Sequence, residues 1–547
     1  MSKKVLVSVL LPGILLTSAL FLRTYKAANA DNIIYLDTES IQALSHKDGV
    51  TVNFLNSDLI EYWDNDATDI AKLKTQYEMN NEMYSFFDYS YDHEYVRDLY
   101  AKWDGFKPVN NTLTWRSNVR ANSYDVVVSL NAELTEAVYE EKNLDKEVYT
   151  MANPFANTHY FWQVTAHTDK GDIKSSIFDF YSGDYKRTVD IPTISNTRDV
   201  GGFTSKYGTM KQGLIYRSGR LDDLNDESKE ALAQLDIQTD LDLRNNGEGS
   251  KNPAKLPNYY LKTLKSYIAD FSEANRPATI EAVRVFANPD NYPVIFHCAV
   301  GRDRTGTLAI LLQALAGASK EYIIHDYYTS MWSVTGAYQK SLEDLNYSSA
   351  VVPTLRALES LGDSINSGAE NFLKVREDTI THEQVGLTDE EIQTIRDIWS
   401  GKIATEHGPK TFKATENYEG KAFVKIKAIG HQDICMVVNK GITIDAPYKL
   451  DNSLMWHCDG ALFDFATPIS NTSFIYADYS SQYVITIHFN GVAKEDEILR
   501  CNSGEVIQFE KYNLDGFEMI AISDEGKEVS KLEVNRDAYI NIVYFKK

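Results

Sequence analysis

The spacing of apolar and polar residues changes character several times along the chain. Tyr292-Pro293-Val294-Ile295-Phe296 is an unbroken apolar run suited to a buried strand, and Thr307-Leu308-Ala309-Ile310-Leu311-Leu312-Gln313-Ala314-Leu315 reads as a buried helix. Such segments alternate from 184 to about 401. Leu214-Ile215-Tyr216-Arg217-Ser218-Gly219 predicts a strand leaving into a loop, Asp226 to Leu232 opens a helix, and Thr239 to Arg244 predicts another strand. Thr388 and Glu391 form a capping box for a helix running to about Trp399. Elsewhere the rhythm is that of strands. Tyr124 to Leu130, Tyr160 to Ala166 and Ile177 to Phe180 are β-branched or aromatic runs, with a turn at Asp169-Lys170-Gly171. Ala422 to Lys427, Tyr483 to Phe489 and Tyr539 to Phe545 read the same way. Residues 31–95 are polar and Tyr-rich without clear periodicity and receive no assignment.

These patterns predict a multidomain chain: an α/β domain, a central sheet with flanking helices, between all-β modules. The boundaries read 96–183 for a β-sandwich, 184–401 for the α/β domain and 404–547 for an all-β module, sandwich or barrel. A length of 547 residues is too great for one core, and 43% apolar content fits folded domains. The net charge of −23 argues against nucleic acid as a partner. Any anion site must therefore build its positive potential locally.

Lys3 and Lys4, an apolar run from Val5 to Leu22 and Ala28-Asn29-Ala30 read as an export signal over residues 1–30, which predicts a secreted or surface-associated protein. The run is also long enough to stay as an uncleaved anchor. Cys435, Cys458 and Cys501 allow one disulfide, in any of three pairings, or none. No metal-ligand motif is present, so neither metal nor cofactor is expected.

Residues 297–306 read His-Cys-Ala-Val-Gly-Arg-Asp-Arg-Thr-Gly. A strand, a tight loop and a helix N-terminus point backbone N–H groups and a dipole at one anion. That field lowers a thiol's pKa to roughly 3.5–7.5, making Cys298 a nucleophile. His297, Cys298, Gly301, Arg304, Thr305 and Gly306 resemble the signature of the protein-tyrosine-phosphatase superfamily. Asn196 to Gly202, Tyr216-Arg217-Ser218, Asp242-Leu243-Arg244 and Gly386 to Ile392 resemble its exported bacterial branch, some members of which also act on phosphoinositides. Trp115, the Val126–Val128 strand and Tyr160-Phe161-Trp162 resemble a fibronectin type III module, with Tyr160 its corner tyrosine.

Phosphate chemistry assigns the roles. Arg304 clamps two phosphoryl oxygens, and the N–H groups of Ala299, Val300, Gly301, Arg302, Asp303 and Arg304 hold them through the transition state. Gly306 completes the phosphate-binding loop. Cys298 forms a thiophosphate, Thr305 steadies the thiolate, and His297 orients the loop. A leaving alkoxide or phenoxide needs an acid. Asp303 is the first choice, and the resembled branch is thought to use an Asp there. Asp242 is the second, with an internal salt bridge as its equal alternative; Asp199 is a third and more readily orders the Gly201-Gly202 turn. Arg302 stands where lipid-active relatives often carry Lys for a second phosphate.

The leading expectation is a secreted phosphatase of phosphotyrosine, with dual specificity for other phosphoresidues open, and with phosphoinositide or inositol phosphate as the alternative substrate. Sulfur transfer needs neither Asp303 nor the Arg304-Thr305-Gly306 ending. A non-catalytic surface protein is the remaining reading, its β modules binding cell wall, glycan or a host protein. Trp456 with Tyr476, Tyr479 and Tyr483 could stack on sugar, but core packing is the simpler explanation.

Overall fold

The computed structural model describes residues 32–57, 59–60, 63, 107–333 and 351–546, apart from 415–416, 429–430, 449, 451–454, 479–481, 493, 495, 503 and 525–526. The export signal and Tyr479 lie outside the described residues. Among those residues no helix is long and apolar enough to cross a membrane, and no cluster of metal-ligating side chains occurs.

The α/β domain is built on five strands. In spatial order they are Arg198–Asp199, Ile215–Ser218, Val294–His297, Thr239–Asp242 and Asn258–Leu261, all parallel except the first pair. Alternation explains the layering. Val294 and Phe296 face one core with Leu308, Leu311, Leu312 and Trp399, while Ile295 and Tyr216 face another with Leu232 and Leu235. A sheet covered on both faces needs apolar residues on both sides of its strands, as Val294-Ile295-Phe296 supplies. The helix Asp303–Leu315 is buried from Thr305 onward, as its uninterrupted apolar run predicts. The Thr388–Glu391 capping box starts the helix Asp389–Trp399.

Ser218 and Asp242 both lie in register with His297. The C-terminal ends of three neighbouring strands therefore finish level, directly before the Cys298 loop. In an open parallel sheet that edge is where ligands bind.

The flanking β regions draw on distant parts of the chain. Ile41–Ala43 pairs with Thr112–Ser117, and Val50–Val52 runs parallel to Phe178–Ser182. The sandwich thus incorporates strands from 31–95, where sequence periodicity gave no assignment. Trp115, Val126, Val128, Tyr160 and Trp162 fill its core, and the Tyr160 hydroxyl accepts the Phe155 N–H at 2.7 Å.

Besides the two-stranded pair of Val506–Gln508 with Lys531–Glu533, residues 404–546 hold two larger sheets with separate cores. Lys421–Lys427, Ile434–Asn439 and Ser473–Asp478 belong to one, which Ile33–Tyr35 joins at its edge. Gln482–Asn490, Phe517–Asp524 and Ala538–Lys546 belong to the other. Between sandwich and first sheet lies a shared apolar cluster of Leu36, Leu134, Phe161, Phe423 and Val437. Tyr483 is buried in a core and Trp456 packs edge-on against Phe465, so these aromatics pack the fold rather than form a sugar platform. Cys435, Cys458 and Cys501 are free thiols. Burial pushes Cys435 and Cys458 up to about 12.

Candidate active site

Where the loop's carbonyls go decides where its N–H groups point. The Ala299 carbonyl accepts from the Arg220 N–H at 3.2 Å, Val300 from Asn196 Nδ2 at 3.1 Å and Gly301 from Arg217 Nη2 at 2.9 Å. With those oxygens bound behind the loop, its amides are left for an anion in front. Gly301 makes the turn with φ +71°, and a Cβ there would sit 2.4 Å from the Ser218 carbonyl oxygen. Gly306 lets the next helix approach, since its Cβ would fall 2.7 Å from the Tyr327 ring.

Arg217 is itself held from below. Asp326 accepts Arg217 Nη1 at 2.7 Å and Arg198 Nε at 2.9 Å, and Lys186 Nζ lies 3.3 Å away. All four side chains are buried. Three cations around one carboxylate leave a positive excess beneath the Cys298 loop.

Cys298 is buried at 2% exposure and lines the cavity. Burial alone would raise its pKa. Hydrogen bonds from the Thr305 side chain and backbone and from the Val300 N–H, with the Arg304 charge, more than offset this and lower it. The buried Thr305 hydroxyl has no other partner to satisfy it, and its presence beside the sulfur favours the thiolate. His297 is fully buried, Nδ1 3.1 Å from the Cys298 carbonyl and Nε2 3.0 Å from Asp240. Burial lowers its pKa, but Asp240 more than compensates and favours the imidazolium, which donates to both partners. It orients the loop from behind.

The two acid candidates separate clearly. Asp303 opens the helix and lines the same cavity as Cys298. Its Oδ1 accepts from Arg302 Nε at 3.1 Å and from the Tyr267 hydroxyl. Asp242 is 3% exposed and locked by Arg244, with Nε and Nη2 each 2.9 Å from its two oxygens. Burial would raise its pKa, yet Arg244 and His297 hold it below the usual range. Arg244 takes both oxygens of Asp242, and Asp242 does not line the cavity. Asp199 accepts from Arg187 Nη1 and the Gly201 N–H, both at 2.9 Å, and so orders the glycine turn.

Two further results alter the sequence reading. Arg302 is 6% exposed and committed to Asp303, so it is not extended toward a second phosphate. Arg304 donates to Glu248 at 2.9 Å. Asn245 and the Arg304 charge more than offset burial to keep Glu248 ionised, which holds the guanidinium at the cavity wall.

The cavity has a volume of about 690 Å³ and is also lined by Leu264, Lys265, Ser266 and Tyr267. Nothing in the sequence pointed to this wall or to Glu248. Arg217 lay within a motif that was recognised, but its partner Asp326 is remote in the chain. Ser266 and Tyr267 adopt φ values of +89° and +55°. Each such conformation costs about 1–3 kcal/mol. Asp270 offsets this by accepting the Lys265 and Ser266 N–H groups at 2.6 and 2.8 Å, and Thr307 Oγ1 accepts the Tyr267 N–H at 2.7 Å.

Residues 189–399 match the model of the tyrosine phosphatase family. A protein of Cupriavidus necator, named provisionally as a tyrosine-protein phosphatase, is 29% identical over 167 residues, which is 25% of this chain and 61% of that one. A tyrosine-protein phosphatase of Nostoc commune is 30% identical over 151 residues, 23% of this chain and 51% of that one. The chain thus spans between half and two thirds of the length of these relatives. Among solved structures, the core catalytic domain of the PP-IP phosphatase Siw14 from S. cerevisiae shares 20% identity, covering 26% of this chain and 85% of that one with a TM-score of 0.19.

Proposed function

We propose that the chain is a cysteine-dependent phosphomonoester hydrolase whose α/β domain acts on phosphotyrosine. The observation that carries this is the Cys298 loop: a thiol of lowered pKa, facing a cradle whose carbonyls are bound behind it, with Arg304 and Asp303 on the same cavity. The family match over residues 189–399 supports it.

In the first step Cys298 Sγ attacks phosphorus and the bond to the ester oxygen breaks. That oxygen takes the electron pair and a proton from Asp303. Loop amides and Arg304 balance the charge on the phosphoryl oxygens. In the second step water attacks the thiophosphate, returns a proton to Asp303, and Cys298 departs as thiolate with a hydrogen bond from Thr305. Asp303 serves as acid and then as base.

Phosphotyrosine is favoured over a phosphoinositide because Arg302 is turned onto Asp303. We read residues 1–30 as an export signal, which exposes the thiolate to oxidation and makes activity dependent on reducing conditions. The sandwich reads as fibronectin type III-like, supported by the Tyr160–Phe155 contact and the Trp115–Trp162 core. The β modules would place the catalytic domain against a wall, glycan or host protein.

The test is hydrolysis of an aryl phosphate and of a panel of phosphotyrosine, phosphoserine and phosphoinositide substrates under reducing conditions. Turnover abolished by Cys298→Ser supports the reading; no turnover from mildly acid to neutral pH overturns it.

A further inference from the structure

The geometry points to Tyr267 as a positioning residue that fixes the proton-donating face of Asp303. The inference rests on the proposed phosphatase chemistry with Asp303 as acid.

Three observations converge on the Tyr267 hydroxyl. It donates to Asp303 Oδ1, the same oxygen that Arg302 Nε approaches at 3.1 Å. A tyrosine has one O–H, so that donation fixes the direction of the next link. The Tyr327 hydroxyl, 2.7 Å from that of Tyr267, must donate to it. The result is a chain from Tyr327 to Tyr267 to Asp303. Burial, and then the charges of its neighbours, raise the Tyr267 pKa far above its ordinary value, so the hydroxyl keeps its proton wherever the enzyme works.

The backbone carries the same message. Two successive non-glycine residues with positive φ are uncommon, and a bulky aromatic residue is a poor choice for such a site. Here the wall Leu264–Tyr267 is fastened by Asp270 and Thr307 in that conformation, and the outcome is a hydroxyl delivered onto Asp303. Tyr267 reaches Asp303 from a different segment than Arg302, so two donors from two directions fix one carboxylate oxygen.

The chemistry explains the use. With Oδ1 occupied by donors, the transferable proton belongs on Oδ2. That oxygen carries the proton to the leaving group in the first step and recovers one from water in the second. A carboxyl free to rotate would present either oxygen, or neither, and orientation is a large part of what a general acid contributes.

The test uses the full chain with Tyr267→Phe, Asp303→Asn and the double variant, assayed on p-nitrophenyl phosphate, whose leaving group needs little protonation, and on phenyl phosphate, whose leaving group needs it. Phenylalanine keeps the ring against Tyr327 and removes only the hydroxyl. The expected result is a kcat loss for Tyr267→Phe about tenfold greater on phenyl phosphate than on p-nitrophenyl phosphate, a part of the roughly hundredfold or more that a general acid contributes. No added loss is expected when Asp303→Asn is already present. Equal losses on both substrates, or full additivity with Asp303→Asn, would overturn the assignment and leave Tyr267 a packing residue. Should Tyr267→Phe fail to fold, Tyr327→Phe replaces it, with a smaller split in the same direction expected and an equal loss overturning. If Asp303→Asn itself shows no split while Cys298→Ser abolishes turnover, the acid assignment has failed and this inference with it, while nucleophilic catalysis by Cys298 stands.

Discussion

Arg217 and Asp326 meet at 2.7 Å in full burial, and the same guanidinium reaches up to the Gly301 carbonyl of the Cys298 loop. The loop's shape therefore depends on a charge pair that substrate never touches. Arg198 and Lys186 share the carboxylate, so Asp326 is the anion that makes a buried cationic cluster tolerable.

Replacing Asp326 by Asn leaves those three cations without their carboxylate. We expect a loss of about 3–5 kcal/mol of stability, the usual consequence of breaking a buried pair from one side. Urea denaturation measures it; a loss below about 1 kcal/mol would contradict the role. Burial would raise the Asp326 pKa, but Arg198, Lys186 and Arg217 hold it far below the usual range. A depressed carboxylate pKa gives stability that is present above the ordinary value of about 3.9 and lost only as pH falls toward the folded one. This pair should therefore hold through mildly acid conditions.

Cys298 should alkylate with iodoacetamide along a pH profile whose midpoint lies below its ordinary 9.0, because Thr305, Val300 and Arg304 together outweigh burial. Cys435 and Cys458, pushed up to about 12, should react only in strong alkali. Thr305→Val should move the Cys298 midpoint upward. Peptide mapping of the label resolves the sites, and a midpoint at 9.0 or above would count against an activated nucleophile.

Gly301→Ala should disable the loop. The added carbon would fall 2.4 Å from the Ser218 carbonyl oxygen, at a φ that L side chains rarely adopt. The atoms it would meet are the backbone of Ser218 and Gly219, not a flexible side chain that could yield. A loss of kcat/KM of at least about a hundredfold is expected, as for misplacement on the order of 1 Å at a reacting centre. Near-normal activity would show that the loop tolerates a different path.

For Asp242→Asn the expected signature is structural. Arg244 would keep Asp222 but lose its fork, at a cost of about 2 kcal/mol for charged hydrogen bonds. Any fall in rate should be the same for p-nitrophenyl and phenyl phosphate. A loss confined to phenyl phosphate would move the acid role from Asp303 to Asp242.

What the sequence revealed follows the reach of the interactions. Cys298, Arg304 and the helix after them lie in one continuous stretch, and strand, loop and helix signals there are local. The Thr388–Glu391 cap was legible for the same reason. Long-range pairings were not. Ile33–Tyr35 joins a sheet with Ile434–Asn439, and no periodicity within three residues could announce it. The pairing of Arg302 with Asp303 was not legible, because it depends on Tyr267 and Tyr327 folding over the same corner. Asp303 ranked ahead of Asp242 in the sequence by its place inside the loop; the Arg244 fork and the cavity wall give the physical separation.

The central claim is a covalent phosphoryl group on Cys298, and the direct measurement is rapid acid quench of the full chain during turnover of an aryl phosphate, followed by mass spectrometry of the Cys298 peptide. Phosphocysteine at Cys298 in the active protein, absent together with turnover in Cys298→Ser, is the predicted result. Turnover that persists in Cys298→Ser, or that proceeds with the phosphoryl group on another residue, would contradict it.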